Sequence, residues 1–384
     1  MSQPVPEDPT QNSTLNGTIR VGMIGCGMLG VVHARRLSGL PDVVVAAASD
    51  PDEAAMQRVI DALPDEQKAG ALLRTDYRQM LSEAKLDAVC ISSPNRWHVE
   101  QILASLEHGL HILCEKPLSM EPTEVQAVVD ATAASGKMVA IAYQSRYRKS
   151  ARVLRSALRS GRWGRLTSVQ IFTSEDWVTP NVGTWRHDPT RCPGGHFADA
   201  NGHQLDMLFW ATDLRPLTVR AHTELRGTPV PITTWGEAWL APNDQRTAGS
   251  NAGSDNKTDG SNAGSSNAAE TPSAASVPIP LSFMFAGDAR HWREEIALQT
   301  ERADFVMRNG QLHWTDGKVQ QQPYPEEFCD PKDLTLSETP DEAFIAALRG
   351  GEPIVSEPRT VWSVLKITRA ALASAEQGGL EVSA

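Results

Sequence analysis

Residues 21–30 read "VGMIGCGMLG", an apolar run closing on Gly25, Gly27 and Gly30 in the spacing G-x-G-x-x-G. The run "IRVGMIG" that leads into them has the character of a buried strand, and residues 28–38 follow with helical periodicity, so the glycines occupy a strand-to-helix turn. At such a turn Gly25 permits the tight bend, Gly27 lets the backbone approach a pyrophosphate, and Gly30 lets helix and strand pack closely. The helix N-terminus at Met28 and Leu29 then presents N–H donors to the anion. Alone the pattern is weak. It gains weight from Asp50, which ends the second apolar run 25 positions after Gly25, where a carboxylate can accept hydrogen bonds from an adenosine ribose. The same carboxylate repels a 2′-phosphate, which favours NAD over NADP. The competing reading makes the glycines plain turn residues and Asp50 a helix cap before Pro51; the strand-turn-helix context favours the dinucleotide. No G-K-[ST] follows, which argues against a Walker loop.

Outward from this loop, short apolar runs alternate with helical patterns: "VVVAAAS", "LDAVCISS", "LHILC" and "KMVAIAY" are separated by helices after Pro51, over residues 97–108 and after Glu121. Continuous apolar strands alternating with helices imply βαβ units and a parallel sheet covered on both faces. Residues 19–143 therefore read as an α/β, doubly wound Rossmann domain. From residue 144 the pattern changes to a basic helix, "RKSARVLRSALRSG", a helix over about 196–210, and strands of alternating character, including one run "EEIALQTERADFVM". This predicts a second, α+β domain with an antiparallel sheet over residues 144–384.

Two stretches stand apart. Residues 1–18 have neither a basic region nor an apolar core and read as a disordered leader rather than a signal peptide. Residues 241–276 carry no side chain larger than Ala among their apolar residues and repeat "SNAGS", which predicts a flexible low-complexity insertion at a hairpin tip.

Across all 384 residues the formal net charge is −11, which argues against a nucleic-acid or anionic-membrane partner. No stretch approaches the ~18 apolar residues of a membrane span. The five cysteines are scattered without a C-x-x-C pair, as reduced buried thiols are, and the cytoplasm is the expected location.

Ligands of doubly wound sheets bind beyond the carboxyl ends of the strands. "SSPN" at residues 92–95 and "CEKPL" at 114–118 both follow strands, so Ser93, Pro94, Asn95, Glu115 and Lys116 are expected at the cofactor crevice. An ammonium at Lys116 could hydrogen-bond a substrate hydroxyl and stabilise an alkoxide. Farther on, Asp199, His203 and Asp206 recur at helical spacing on one face, with His203 suited to accept a hydroxyl proton and Asp199 to orient it. His196 competes as base. A metal held by His196, Asp199 and His203 is conceivable, but a redox cofactor already supplies an electron acceptor, so no metal is expected.

Taken together, the glycine loop, "SSPNRWHVE", "EKPLS" and the Gly-Gly-x-x-x-Asp-x-x-x-His-x-x-Asp segment at 194–206 resemble the Gfo/Idh/MocA family of NAD(P)-dependent oxidoreductases. The resemblance implies a C-terminal domain with an open, mostly antiparallel sheet through which a homo-oligomer forms. It adds His98 to the cofactor site, from the Pro-Asn-x-x-His segment, and gives Lys116 contact with both nicotinamide and substrate. It assigns Asp199 and His203 to proton transfer, and sugars, inositols or their derivatives as substrates. Arg146, within "YQSRY", and Arg186, beside Trp185, resemble substrate-side segments. Two departures are visible: Pro193 where a third glycine often stands, and Asn201 where Gly is common. Rival expectations are a glycoside hydrolase or epimerase of the same fold that uses NAD transiently, and a non-catalytic dinucleotide-sensing regulator.

Overall fold

A computed structural model describes residues 15–243, 277–319, 321–334 and 337–384. The expectations for residues 1–14 and 244–276 lie outside the described residues.

Strands β1 (Ile19–Ile24), β2 (Val43–Ser49), β3 (Leu72–Arg74), β4 (Ala88–Ile91), β5 (His111–Cys114) and β6 (Val139–Ile141) form one parallel sheet in the order β3-β2-β1-β4-β5-β6. The strand order reverses between β1 and β4, which opens a crevice at their carboxyl ends. Every residue of β4 and β5 is buried, as expected for strands covered on both faces.

A second sheet holds β7 (Leu166–Asp176), β8 (Leu214–Glu224), β9 (Thr233–Pro242), β10 (Ile279–Ala286), β11 (Asp288–Thr300), β12 (Asp304–Arg308), β13 (Gln311–Thr315), β14 (Gln322–Pro323) and β15 (Val382–Ser383). Their order is β14-β13-β12-β11-β7-β10-β9-β8-β15, antiparallel except where β10 runs parallel to β7. Along β10, Leu281, Phe283 and Phe285 point into the core while Ser282 and Met284 point out. The inner face packs on helices Lys149–Arg159, Gly202–Thr212 and Trp362–Glu376 through Leu154, Leu205, Leu208 and Ile367. Among the described residues, no helix of the core packs on the outer face, which carries exposed residues such as Met284 and Trp239.

Three local expectations are corrected. The run "EEIALQTERADFVM" is not one strand but the β11–β12 hairpin, turned at Glu301–Ala303, where Thr300 exchanges backbone and hydroxyl hydrogen bonds with Ala303. No Gly, Pro or Asn marks that turn. The helix expected over 196–210 is two helices, Gly195–Asp199 and Gly202–Thr212. The break falls at Asn201, whose buried amide donates to the His196 carbonyl at 3.1 Å and competes with the helical ladder. Leu15, expected within the disordered leader, donates its N–H to Leu348 at 2.9 Å and packs against the first core.

The chain also returns to the first sheet near its end. Phe344, Ile345 and Leu348 of the Pro340–Leu348 helix share a core with Val21, Val45 and Leu113, and Val361 and Leu365 share another with Ile91, Ile112 and Tyr143. The two cores therefore do not divide along the sequence at residue 143. None of the five cysteines forms a disulfide and all five are buried, and among the described residues no helix is long and apolar enough to cross a membrane.

Candidate active site

Beyond the carboxyl ends of β1, β2, β4 and β5 lies a cavity of about 680 Å³. Gly25, Gly27, Met28, Leu29, Asp50, Ser93, Pro94, Asn95, His98, Glu115, Lys116, Arg186 and Asp199 all line it.

At the glycine loop, Gly25 has φ +88° and a Cβ there would collide with the Ser93 backbone, so only glycine keeps β1 and β4 this close. A Cβ on Gly30 would collide with the Gly25 carbonyl, which fixes Gly30 as a packing residue rather than a cavity wall. Gly27 has no atom within 4 Å of the place its Cβ would take. The helix Met28–Ser38 starts without a side-chain cap, so its first N–H groups remain available to an anion. Asp50 accepts from Cys26 N–H at 2.8 Å and Asp52 N–H at 2.9 Å, which holds its carboxylate at the cavity edge. These residues fit a dinucleotide.

His98 is buried, with Nδ1 2.9 Å from the Pro117 carbonyl and Nε2 2.9 Å from the Ser93 carbonyl. Burial pushes its pKa below the ordinary value despite those carbonyls. It ties "SSPN" to the cis Lys116–Pro117 bond, so its ring braces two loops and its nitrogens are not free for a cofactor. Ser93 donates to Gln101 at 2.6 Å and Ser92 to the Gly25 carbonyl at 2.8 Å.

Lys116 Nζ donates to the backbone carbonyl of Asp199 at 2.6 Å, bringing together two residues 83 positions apart. The Asp199 carboxylate is buried; its Oδ2 accepts from Trp177 Nε1 at 3.2 Å and Arg186 Nε at 2.8 Å. Burial opposes its charge, but Lys116 and Arg186 hold its pKa below the usual carboxylate range. The Arg186 guanidinium also stacks 4.5 Å over Trp185, and both residues line the cavity. His203 is half-buried beside Tyr143, and its Nδ1 has no hydrogen-bond partner among the described residues. Burial first, then the charge of Lys116, lower its pKa to about 3, so the ring is a neutral proton acceptor at ordinary pH.

The expected orienting contact from Asp199 to His203 is not formed, because Trp177 and Arg186 take that carboxylate and the helix break separates the two residues. Asp206 faces away from the cavity. It pairs with Arg146, whose Nε lies 2.6 Å from Asp206 Oδ2 and whose other nitrogens reach Val355 O and Thr360 Oγ1. Both side chains are essentially inaccessible, which corrects the expectation that Arg146 touches substrate: its charge is spent inside the fold. His196 is fully buried between Glu175, 3.0 Å from Nε2, and the Ile232 carbonyl, so it cannot serve as the base. Among the described residues no group of His, Cys, Asp or Glu is arranged to hold a metal ion.

Reading the sequence missed Thr75, Asp76, Tyr77 and Trp97 in the cavity wall, and Trp177 behind Asp199. It also missed His33, which meets Glu115 at 3.0 Å from the adjacent helix. Asp76 carried a weak signal as an acid opening a helix after a short strand; Trp177 carried none.

A parallel sheet in this order, with a glycine loop after β1, an acid after β2 and a lysine after β5, defines a dinucleotide-binding protein of the Rossmann class. The chain belongs to the Gfo/Idh/MocA family of oxidoreductases: residues 19–143 match its "Oxidoreductase family, NAD-binding Rossmann fold" and residues 151–259 its "GFO/IDH/MocA C-terminal domain". Among curated relatives, it is 28% identical over 189 residues to myo-inositol 2-dehydrogenase of Thermotoga maritima, covering 49% of this chain and 53% of that one. It is 30% identical over 212 residues to inositol 2-dehydrogenase 2 of Saccharopolyspora erythraea, covering 54% and 58%. The matched region thus spans little more than half the length of these relatives. Its fold is that of the WlbA dehydrogenase of Bordetella pertussis, solved with NADH and UDP-GlcNAcA, at TM-score 0.72 and 18% identity over 96% of this chain and 98% of that one.

Proposed function

We propose that this chain is an NAD-dependent dehydrogenase that interconverts a ring hydroxyl and a ketone of a sugar, an inositol or a derivative. The observation that carries the reading is the convergence of Lys116, Asp199 and Arg186 on the dinucleotide cavity, with His203 four positions beyond Asp199, its Nδ1 without a hydrogen-bond partner among the described residues and its ring under the charge of Lys116. The names of the inositol dehydrogenase relatives support the substrate class.

Gly25, Gly27, Met28 and Leu29 would hold the pyrophosphate and Asp50 the adenosine ribose; Asp50 and Asp76, both in the wall, would repel a 2′-phosphate and favour NAD over NADP. Bound NAD would supply the hydride acceptor. Lys116 hydrogen-bonds the substrate oxygen and stabilises the negative charge that develops on it. His203, neutral, takes the hydroxyl proton. Asp199 anchors the ammonium of Lys116 through its carbonyl and holds Arg186 at the substrate side. Oriented this way, hydroxyl, base and ammonium need no further ordering at the moment of reaction.

The test is NADH absorbance during incubation with sugars, inositols and 3-keto sugars. Lys116→Ala should leave NAD affinity unchanged and lower turnover by on the order of a hundredfold or more. Unchanged turnover removes Lys116 from the chemistry. A wild type that binds NAD yet yields no net NADH points to transient oxidation or to a sensor instead.

A further inference from the structure

The helix that opens with the phosphate loop turns one histidine inward. His33 is 1% exposed, and its two ring nitrogens meet carboxylates from distant parts of the chain: Nε2 lies 3.0 Å from Glu115 Oε1, and Nδ1 lies 2.6 Å from Asp341 Oδ1. A neutral imidazole donates from one nitrogen only, so two ionised carboxylates at these distances require the doubly protonated ring. Burial opposes that charge, but the hydrogen bonds and charges of Asp341 and Glu115 outweigh it and raise the His33 pKa to about 10. Arg36 adds a second cation, 3.4 Å from Asp341 Oδ2, and Gln144 donates to Glu115 Oε1 at 3.4 Å.

Glu115 reaches the site from there. Its Oε2 accepts the N–H of Lys116 at 3.1 Å, and it lines the cavity. Burial would raise its pKa, yet the hydrogen bond and charge of His33, with the charge of Lys116, hold it at about 2. Glu115 and His203 meet across neighbouring residues: the His203 ring stands edge-on to Tyr143, centroids 6.3 Å apart, and the adjoining Gln144 is the residue that donates to Glu115. Among the charges acting on His203, Lys116 and Arg148 disfavour its protonation while Glu115, ahead of Asp199, favours it. Asp199 has its Oδ2 committed to Trp177 and Arg186.

On the dehydrogenase reading, we infer that His33 is a positioning residue: bridging Asp341 and Glu115, it holds Glu115 as the ionised carboxylate that stabilises His203 once His203 has taken the substrate's proton. The role that the sequence assigns to Asp199 passes to Glu115. The Pro340–Leu348 helix, which carries Asp341, becomes the outer anchor of the site.

Two measurements on the full chain test this. In ¹⁵N-histidine-labelled protein near neutral pH, both ring nitrogens of His33 should give protonated resonances, and the His203 ring resonances should move in both His33→Gln and Glu115→Gln. A neutral His33 ring, or a His203 ring indifferent to both substitutions, overturns the inference without any reference to turnover. In kinetics, each substitution should lower kcat on the order of tenfold or more, with the Kd for NAD changed less than about threefold, and the double variant should be no slower than the slower single variant. A weakened NAD affinity, as a mere prop of the phosphate-loop helix would give, or losses that multiply in the double variant, also overturns it. Absence of turnover in the wild type rejects the dehydrogenase reading instead, while the histidine resonances still decide whether the clamp exists and reaches His203.

Discussion

His33 makes stability depend on pH in a direction opposite to a neutral buried histidine. Its pKa rises from 6.5 in the unfolded chain to about 10 in the fold. Folding therefore holds one extra proton between those values, and the stability this confers is complete below about pH 6.5 and is lost as the pH rises through about 10. In urea titrations between about pH 7.5 and 8.5, above the range in which His98, His111 and His203, neutral in the fold, take up protons on unfolding and before thiols ordinarily near 9.0 enter, the wild type should lose on the order of 1 kcal/mol per pH unit. His33→Gln should flatten that slope; equal slopes in both proteins would show that the ring is not charged in the fold. The residue illustrates what a sequence shows and hides. A histidine three positions after Gly30 is visible, but its partner Asp341 lies 308 positions away and no local pattern links them.

Among secondary structures, the Pro340–Leu348 helix has the widest reach. Thr339 caps it by accepting from Glu342 N–H at 3.2 Å, and Pro340 fits its first turn, where no N–H is needed. Its inward face then buries Phe344, Ile345 and Leu348 in the first core and delivers Asp341 to His33. Phe344→Ala should cost about 3–5 kcal/mol in urea unfolding, the usual range for a large buried aromatic. A cost under about 1 kcal/mol would mean that the helix is not docked on the first sheet. Thr339-Pro340 and the spacing of Phe344, Ile345 and Leu348 are local signals of a capped, one-faced helix; its destination has no such signal, because an amphipathic face states that it is buried and not against what.

At the level of the assembled chain, the described residues leave the outer face of the nine-stranded sheet open. It carries an open cleft of about 890 Å³ lined by Phe172, Arg220, His222, Trp235, Met284 and others, and it contains none of Lys116, Asp199 or His203. Met284 and Trp239 are 41% and 44% exposed there, in strands whose alternate residues are fully buried. Apolar exposure of this kind on a continuous sheet marks an interface, and a second copy of the chain is the occupant we propose. Sedimentation equilibrium should give a homo-oligomer that Met284→Glu dissociates or weakens at least tenfold. A monomeric wild type at micromolar concentration would exclude it.

The local chemistry of short segments was sufficient for much of this protein. The glycine loop, the acid after β2, and the lysine between Glu115 and Pro117 are each specified within a few residues, since turn geometry and strand ends are set by neighbours in sequence. Periodicity likewise announced a parallel sheet followed by an antiparallel one; the parallel pairing of β10 with β7 was not in it. Folding in three dimensions decided the rest. Asp199, His203 and Asp206 share a helical spacing, yet the break at Asn201 and the pull of Arg146 send Asp206 into the core and leave Asp199 at the cavity. Arg146 looked like a substrate residue and is a buried ion pair; His33 looked like a helix residue and is the clamp on Glu115. Both differences have one cause: a charged side chain's role follows from the partner that burial brings to it, and that partner is chosen by packing between segments far apart in the chain.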